Sequence, residues 1–272
     1  MTLIQVLCIA IIGVALGLLV QRHGRDILVA YASLAVAGWA GEETCIRFYK
    51  FYAYRDAWWL HLDCVPVLIT LIWPLVILSA RDVARDLGAV SLRSLGAAVF
   101  AIVVVDASMV EIIAVARGMW GWAEPGYLNV PILGILGWGF FAATAVVWIE
   151  WCRQQPTRVA WQPLAIVVGP VVTHVLLVAS WWGCFRWTLR GEMAPPVWIM
   201  LAPAAGVIAW LVASKRVGVV GIGIQLPRMV AATLFFAIVA TLPHAQLPAL
   251  LFHTAAVAAM YLVATRYRLR RS

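Results

Sequence analysis

Residues 95–116 read LGAAVFAIVVVDASMVEIIAVA, an apolar run long enough to cross a bilayer as one helix. Two acids, Asp106 and Glu111, interrupt it. A charged carboxylate at the centre of a membrane helix costs about 2.5–3.5 kcal/mol on insertion scales. A helix therefore keeps such groups where they are neutral, paired or turned toward a cavity inside the protein. The stretch predicts a membrane helix that carries part of an intramembrane site.

The rest of the chain is equally apolar, with 64% hydrophobic and 12% charged residues and a mean hydropathy of +0.95. A soluble domain of 272 residues could not bury so much apolar surface. We predict an all-α integral membrane protein, residues 1–272 forming a single transmembrane domain of about nine helices, with eight as the alternative. The predicted spans are residues 2–21, 27–46, 62–80, 95–116, 128–150, 162–184, 195–214, 227–243 and 247–265.

The basic residues predict how the chain is oriented. With nine spans, most of the 20 lysines and arginines fall on breaks of one side, including the tail arginines. The positive-inside rule then places the N-terminus outside and the C-terminus in the cytoplasm. We expect a protein of the bacterial inner membrane whose net charge of +8 reflects topology. The short basic tail matches no nucleic-acid-binding motif.

Acids from several helices are expected at similar depth in the outer half of the membrane. Glu42 and Glu43 close the second span, Asp63 opens the third, and Asp106 and Glu111 lie on the fourth. Each residue of a helix adds about 100° of rotation, so Asp106 and Glu111 point roughly 140° apart and cannot both face one spot without distortion.

Each polar candidate has a plain structural interpretation as well. Glu43 and Arg47 are four residues apart and predict an ion pair on one helix face, which leaves Glu42 as the freer acid. Asp63 suits a helix start as well as chemistry. His174 and His253, each alone on an apolar helix, are more typical of hydrogen-bonded packing residues than of ligands.

The outer segments are rich in aromatic residues. Residues 47–61 read RFYKFYAYRDAWWLH and residues 117–129 read RGMWGWAEPGYLN, and we expect both to fold back at the interface or to cap a cavity. Their tryptophans form either an interfacial belt or a cavity wall whose indole faces attract cations.

The cysteines show no paired metal-ligand spacing. Most simply they are buried thiols. Cys45 and Cys64 could instead form a disulfide between the outer ends of neighbouring helices.

Several classes of membrane protein are disfavoured. Neither lysine lies in mid-membrane, where a retinal Schiff base would need it, and the histidines form no di-iron cluster. No phosphate-binding glycine loop, aspartate-rich diphosphate motif or nucleophile elbow is present. No internal repeat is apparent, which disfavours a secondary transporter. We therefore expect no metal and no cofactor.

What is left is carboxylic acids in an apolar, aromatic setting. An acid in a dry pocket can keep its proton near neutral pH and deliver it in a reaction. The matching substrate is an apolar molecule with an electron-rich double bond, which protonation converts to a tertiary carbocation.

Residues 106–138, DASMVEIIAVARGMWGWAEPGYLNVPILGILGW, resemble the membrane carotenoid biosynthesis proteins that include the CruF-type and bacterioruberin-pathway carotenoid hydratases. The shared pattern is a membrane aspartate, G-x-W-x-W, a glycine, V-P and G-W. Upstream, Glu42 or Glu43, Tyr52 and Tyr54, and Val65-Pro66 resemble the family's glutamate, Tyr-x-Tyr pair and proline segment. Gly134 stands where the family has asparagine.

The resemblance implies hydration of a terminal C=C bond of a long isoprenoid or carotenoid inside the membrane. We expect Asp106 and Glu42 to be the acid and its partner carboxylate, with Glu111 next and Glu43 and Asp63 as further candidates. The residues expected to line the substrate path are Tyr52, Tyr54, Trp120, Trp122, Trp138 and His174. The expected partners are that apolar substrate and membrane lipid.

Two alternatives stay open from the sequence. A membrane terpene or carotenoid cyclase would use the same protonation but give an isomeric product. A proton-coupled transporter or assembly factor would use the acids as a proton relay.

Overall fold

The computed structural model describes residues 1–124, 126–186, 204 and 222–241. Eight α-helices make up most of this part of the chain. They are α1 (Thr2–His23), α2 (Ile27–Arg47), α3 (Val67–Asp86), α4 (Leu92–Ala116), α5 (Ile132–Arg153), α6 (Arg158–Trp161), α7 (Ala165–Ser180) and α8 (Ile222–Val239). A 3-10 turn, Gln162–Leu164, joins α6 to α7, and a π-helical turn, Trp181–Phe185, follows α7.

The helices confirm a predominantly α-helical membrane protein. Five segments of the described chain are long and apolar enough to span a bilayer: Thr2–His23, Val67–Asp86, Leu92–Ala116, Ile132–Arg153 and Val159–Phe185. α2 has a similar length but carries Glu42, Glu43 and Arg47 in its last turns. The predicted spans 195–214 and 247–265 lie outside the described residues, so the count of nine stays a prediction.

Several predicted boundaries were wrong, including the start of the fifth span, which was predicted at residue 128 and lies at Ile132. The span predicted over 62–80 begins at Val67, because Pro66 adopts an extended conformation at the helix start and closes a small hairpin with the residues before it. The span predicted over 162–184 is composite, with α6, the 3-10 turn, α7 and the π-helical turn in sequence. By contrast, α4 starts cleanly at Leu92 because Ser91 and Ser94 form a capping box.

Two small antiparallel ribbons lie at the end of the bundle where α2 and α4 finish. β1 (Tyr52–Tyr54) pairs with β4 (Trp120–Trp122), and β2 (His61–Leu62) pairs with β3 (Val65–Pro66). The first ribbon joins the two aromatic outer segments. Such ribbons add a feature that a purely helical prediction lacks.

α4 and α5 form a close helix pair at the centre of the bundle. A Cβ at Gly139 would lie 2.6 Å from Val104 Cγ2, and one at Gly96 would lie 2.9 Å from Val147 Cγ2. Small residues at such contacts let two membrane helices approach and gain dispersion contacts that lipid cannot replace. This pairing fixes α4, and with it the acids it carries.

The opposite end of the bundle is tied together by charged residues. Arg81 is only 1% exposed and donates to Asp82 at 2.8 Å, and Arg85 donates to Glu150 of α5 at 2.7 Å. Arg22 of α1 lies 3.7 Å from Asp82. The structure thus gathers at one end several of the basic residues that the charge pattern assigned to one side.

The glycine contacts make a stability prediction. Gly139→Ala should lower the free energy of unfolding by about 1–3 kcal/mol, the usual range for overpacking a tight contact, because a Cβ there would overlap the fully buried Val104 and the Phe100 ring. A thermal melt in detergent measures the effect. Gly17→Ala on α1 is the matched control, since a Cβ there meets nothing within 4 Å; equal melting shifts in both variants would contradict the interpretation.

Candidate functional site

A cavity of about 90 Å³ lies beneath the β1–β4 ribbon, between α2, α3, α4, α5 and α7. Its wall combines two acids with aromatic and small residues from all five helices and the ribbon. The lining residues include Gly38, Glu42, Tyr52, Tyr54, Trp73, Glu111, Trp120, Trp122, Gly134, Trp138 and His174. The outer segments therefore cap a cavity, as predicted.

Glu42 is buried in the last turns of α2, with 9% of its surface exposed. One carboxyl oxygen, Oε2, accepts hydrogen bonds from the hydroxyls of Tyr52 and Tyr54, the latter at 2.8 Å. The other oxygen, Oε1, accepts one from the indole N–H of Trp73 at 2.9 Å. Three donors thus satisfy this acid.

Glu111 is buried in the same part of α4, with 3% of its surface exposed. Its Oε2 accepts from the indoles of Trp120 at 2.9 Å and Trp122 at 3.1 Å. Its Oε1 accepts from the indole of Trp138 at 2.7 Å. Each acid therefore has three aromatic donors, and both face one cavity.

The β1–β4 ribbon delivers four of the six donors. Tyr52 pairs with Trp122 and Tyr54 pairs with Trp120, and residues two apart on a strand point to the same face. All four rings therefore turn toward the acids. Burial first, and the neighbouring Glu42 second, raise the pKa of Tyr52 and Tyr54 well above its usual range, so both phenols hold their protons.

The two acids belong to equivalent positions of an internal repeat. Glu42 precedes its donors by 10, 12 and 31 residues, and Glu111 precedes its donors by 9, 11 and 27. Trp73 and Trp138 each follow a Val-Pro pair and stand seventh in their helices. The unit α2–β1–α3 thus matches α4–β4–α5, and the expectation of no repeat was wrong.

The two strands of the ribbon also occupy equivalent positions. Their antiparallel pairing is centred on Ala53 opposite Gly121. The chemistry differs between them, because two phenols serve Glu42 where two indoles serve Glu111.

Two glycines leave room for donor rings. A Cβ on Gly38 would lie 3.0 Å from Trp73, and a Cβ on Gly134 would lie 2.5 Å from Trp122 Cζ2. At each position, the indole occupies the space that a side chain would fill. Gly134, which stands where the family pattern has asparagine, is thus the residue that leaves room for Trp122.

Asp106 faces elsewhere. It forms an ion pair with Arg228 of α8 and lines a second, larger cavity, whereas Glu111 lines the first. The rotation between the two acids of α4 was therefore predicted correctly. The expected pairing of Asp106 with Glu42 does not hold, because Glu42 lines the first cavity and Asp106 lines the second.

Glu43 and Asp63 lie outside the cavity. Arg47 pairs with both, which confirms the predicted Glu43–Arg47 contact and places Asp63 in a turn with a positive φ of 54°. The Arg47 guanidinium holds the pKa of Asp63 below its ordinary value. Ligand atoms of Glu43, Asp63 and Cys64 lie within 4.8 Å of one another, but the Arg47 guanidinium already pairs with both carboxylates.

Cys45 and Cys64 are free thiols, so the possible disulfide does not form. Cys45 turns into the cavity wall, whereas the backbone N–H of Cys64 donates to Glu43. The two side chains therefore have different surroundings.

His174 differs from the packing residue that its lone position on a helix indicated. It lines the cavity from α7, and its ring lies 5.4 Å from that of Tyr49. Within the described part of the chain, neither ring nitrogen has a hydrogen-bond partner. His174 can therefore both donate to and accept from a molecule in the cavity.

The sequence interpretation missed Trp73 and Gly38 as site residues. Both look like ordinary members of apolar helices. The matched spacing of each acid to its aromatic residues, and the two Val-Pro pairs, are the signals that could have identified Trp73.

Comparison with known proteins identifies the family of the chain. No curated protein and no solved structure is detectably similar to the chain. A family model described as "Carotenoid biosynthesis protein" matches residues 1–197, a range that includes both halves of the repeat and all six donors. The chain belongs to the carotenoid biosynthesis protein family.

Proposed function

We propose that the protein adds water across a terminal C=C bond of a long isoprenoid or carotenoid, with Glu42 and Glu111 as the reacting acids. The observation that carries the proposal is the pair of buried carboxyl groups that share one aromatic cavity. Family membership supports the substrate class. Glu111 takes the role expected for Asp106 because Glu111 lines the same cavity as Glu42, whereas Asp106 does not.

The donors suggest how the two acids divide the work. Hydroxyls of Tyr52 and Tyr54 both donate and accept, so a proton on Glu42 can be accommodated by rotation of a phenol O–H. Indole N–H groups only donate, so the three around Glu111 hold it as an acceptor. We therefore assign Glu42 as the proton donor and Glu111 as the base.

Each proton that moves in this reaction passes between a named donor and a named acceptor. The π electrons of the terminal alkene take the proton of Glu42, which leaves a tertiary carbocation and a Glu42 carboxylate. A water oxygen forms the new C–O bond, and Glu111 takes the proton that this water releases. Transfer of a proton from Glu111 back to Glu42 completes the cycle, and the net change is alkene plus water to tertiary alcohol.

Other cavity residues support the charged intermediate. Indole faces attract cations by about 2 kcal/mol or more once water is excluded, and four tryptophans line this space. His174 has two unpartnered ring nitrogens and is the residue that we propose positions the attacking water.

The charge pattern supports the finer topology. The cluster around Arg81 and Glu150 lies at the end of the bundle opposite the ribbons, and we propose that this end is cytoplasmic. With nine spans and an external N-terminus in a bacterial inner membrane, the capped cavity lies toward the outer surface. The substrate would enter from the bilayer.

Replacing either acid should abolish turnover. We expect Glu42→Gln and Glu111→Gln each to lower kcat by about 10²–10⁴-fold, the usual contribution of a positioned acid or base. Mass spectrometry of pigments from cells that express each variant measures the product, which should be heavier than the substrate by one water. Incorporation of ¹⁸O from labelled water locates the new oxygen.

Glu43→Gln is the matched control, because Glu43 neighbours Glu42 but faces Arg47 outside the cavity. It should retain the wild-type product. An isomeric product without ¹⁸O would show that the reaction is cyclisation and not hydration. If the protein forms no product but carries out proton-coupled flux in vesicles, a transporter is favoured. Internal repeats such as the two in this chain also occur in transporters.

The glycine beside Trp122 gives a second activity prediction. Gly134→Ala should displace this ring from Glu111 and lower kcat at least tenfold, because a Cβ there would overlap the indole. The double variant Gly134→Ala/Trp122→Phe should be no worse than Trp122→Phe alone, since the smaller ring removes the clash. Steady-state kinetics in detergent test both; additive losses would argue against this contact as the cause.

A further inference from the structure

The acid cavity is too small for a whole long-chain substrate. Small-molecule pockets commonly measure about 300–1,000 Å³, whereas this one measures about 90 Å³. It can take the reacting end of a chain but not its body. A substrate of the proposed class therefore needs a second volume that is continuous with the first.

A larger cavity of about 500 Å³ adjoins it. The two share wall residues from α3, the ribbon and α5, namely Ile69, Ile72, Val76, Trp120 and Trp138. The lining from α1 and α8 is mostly apolar, with residues such as Ile12, Ala15, Ala232 and Phe235, while Gln21, Arg22 and Arg228 are its polar members. This larger space, the chain chamber, thus shares one wall with the acid cavity.

Within the residues that the structure describes, each charged side chain that lines the chamber lies beside one of opposite charge, and Arg22 is 3.7 Å from Asp82. Asp106 pairs with Arg228, and Arg228 also donates to Ser79 Oγ at 2.8 Å and to the Val76 carbonyl at 3.3 Å. The pair therefore anchors α8 against α3 and α4. A wall with a compensated charge suits a hydrocarbon better than an ionic ligand.

We propose that the chain chamber binds the body of a long acyclic isoprenoid hydrocarbon, while its terminal double bond enters the acid cavity. The proposal rests on the function proposed above. α8 closes the chamber although it lies beyond residues 1–197, the part that the family model matches. The chamber wall formed by α8 thus sets the length of substrate that this chain accepts.

The test separates binding of the chain from chemistry at its end. Ala232 lines the chamber, whereas Ala237 lies on the exposed face of the same helix, so Ala232→Trp and Ala237→Trp are matched variants. The probes are lycopene, an acyclic C40 polyene, and myrcene, a C10 alkene. Polyene absorbance that co-elutes with purified full-length protein in detergent measures binding of the long probe, and gas chromatography measures hydration of the short one.

We expect Ala232→Trp to weaken lycopene binding at least tenfold, with Ala237→Trp binding as the wild type does. All three proteins should hydrate myrcene at similar rates. Cys8→Trp, from the α1 side of the chamber, should reproduce the binding loss if Ala232→Trp does not fold. Unchanged lycopene binding in Ala232→Trp and Cys8→Trp, or equal loss in Ala237→Trp, would overturn the proposal.

The two proposals fail in different ways. If neither the wild type nor the two alanine variants hydrate myrcene or lycopene, while Ala232→Trp still loses polyene binding, the result supports the chamber and contradicts the hydration reaction. If Glu111→Gln stops hydration but neither chamber variant changes lycopene binding, the reaction stands and the chamber falls.

Discussion

Two buried carboxyl groups must have hydrogen-bond partners in a place where water cannot supply them, and this requirement organises the centre of the molecule. An unsatisfied polar group inside a protein costs about 1–3 kcal/mol, and more when it is charged. Glu42 and Glu111 avoid this cost through six aromatic donors. The ribbon, the two glycine contacts and the placement of the two helix tryptophans all serve to bring those donors into range.

The donors that satisfy the two acids also make them chemically different from each other. The repeat supplies two equivalent acids, and exchange of phenols for indoles in one half makes them unequal. A symmetric pair would have no preferred direction for a proton. Because Tyr52 and Tyr54 can accept as well as donate, the Glu42 half is the one that can release a proton, and the proposed reaction depends on that difference.

Local patterns in the sequence predicted the helices and much of the acid inventory. The rotation per residue separated Asp106 from Glu111, and the four-residue spacing identified the Glu43–Arg47 pair. Such local patterns do not predict contacts between residues that are far apart in the chain. The contact of Asp106 with Arg228 joins residues far apart in the chain, so no periodicity reveals that Asp106 already has a partner.

The ribbon and the helix starts escaped prediction for related reasons. Three residues are too few to show strand alternation, and each strand obtains its partner from a segment beyond an intervening helix pair. A hydropathy pattern counts Leu62 and Val65 as membrane residues, whereas Pro66 delays the helix to Val67. The repeat was hidden because its halves share spacing rather than residue identity.

Every donor follows its acid along the chain. During synthesis from the N-terminus, Glu42 therefore leaves the ribosome before Tyr52, Tyr54 and Trp73, and Glu111 leaves before Trp120, Trp122 and Trp138. The full set of donors around each acid is complete only when the helix after its strand has been inserted. A chain truncated before Trp138 would leave Glu111 Oε1 without its indole donor, so an unfinished copy carries a buried oxygen that the complete fold satisfies.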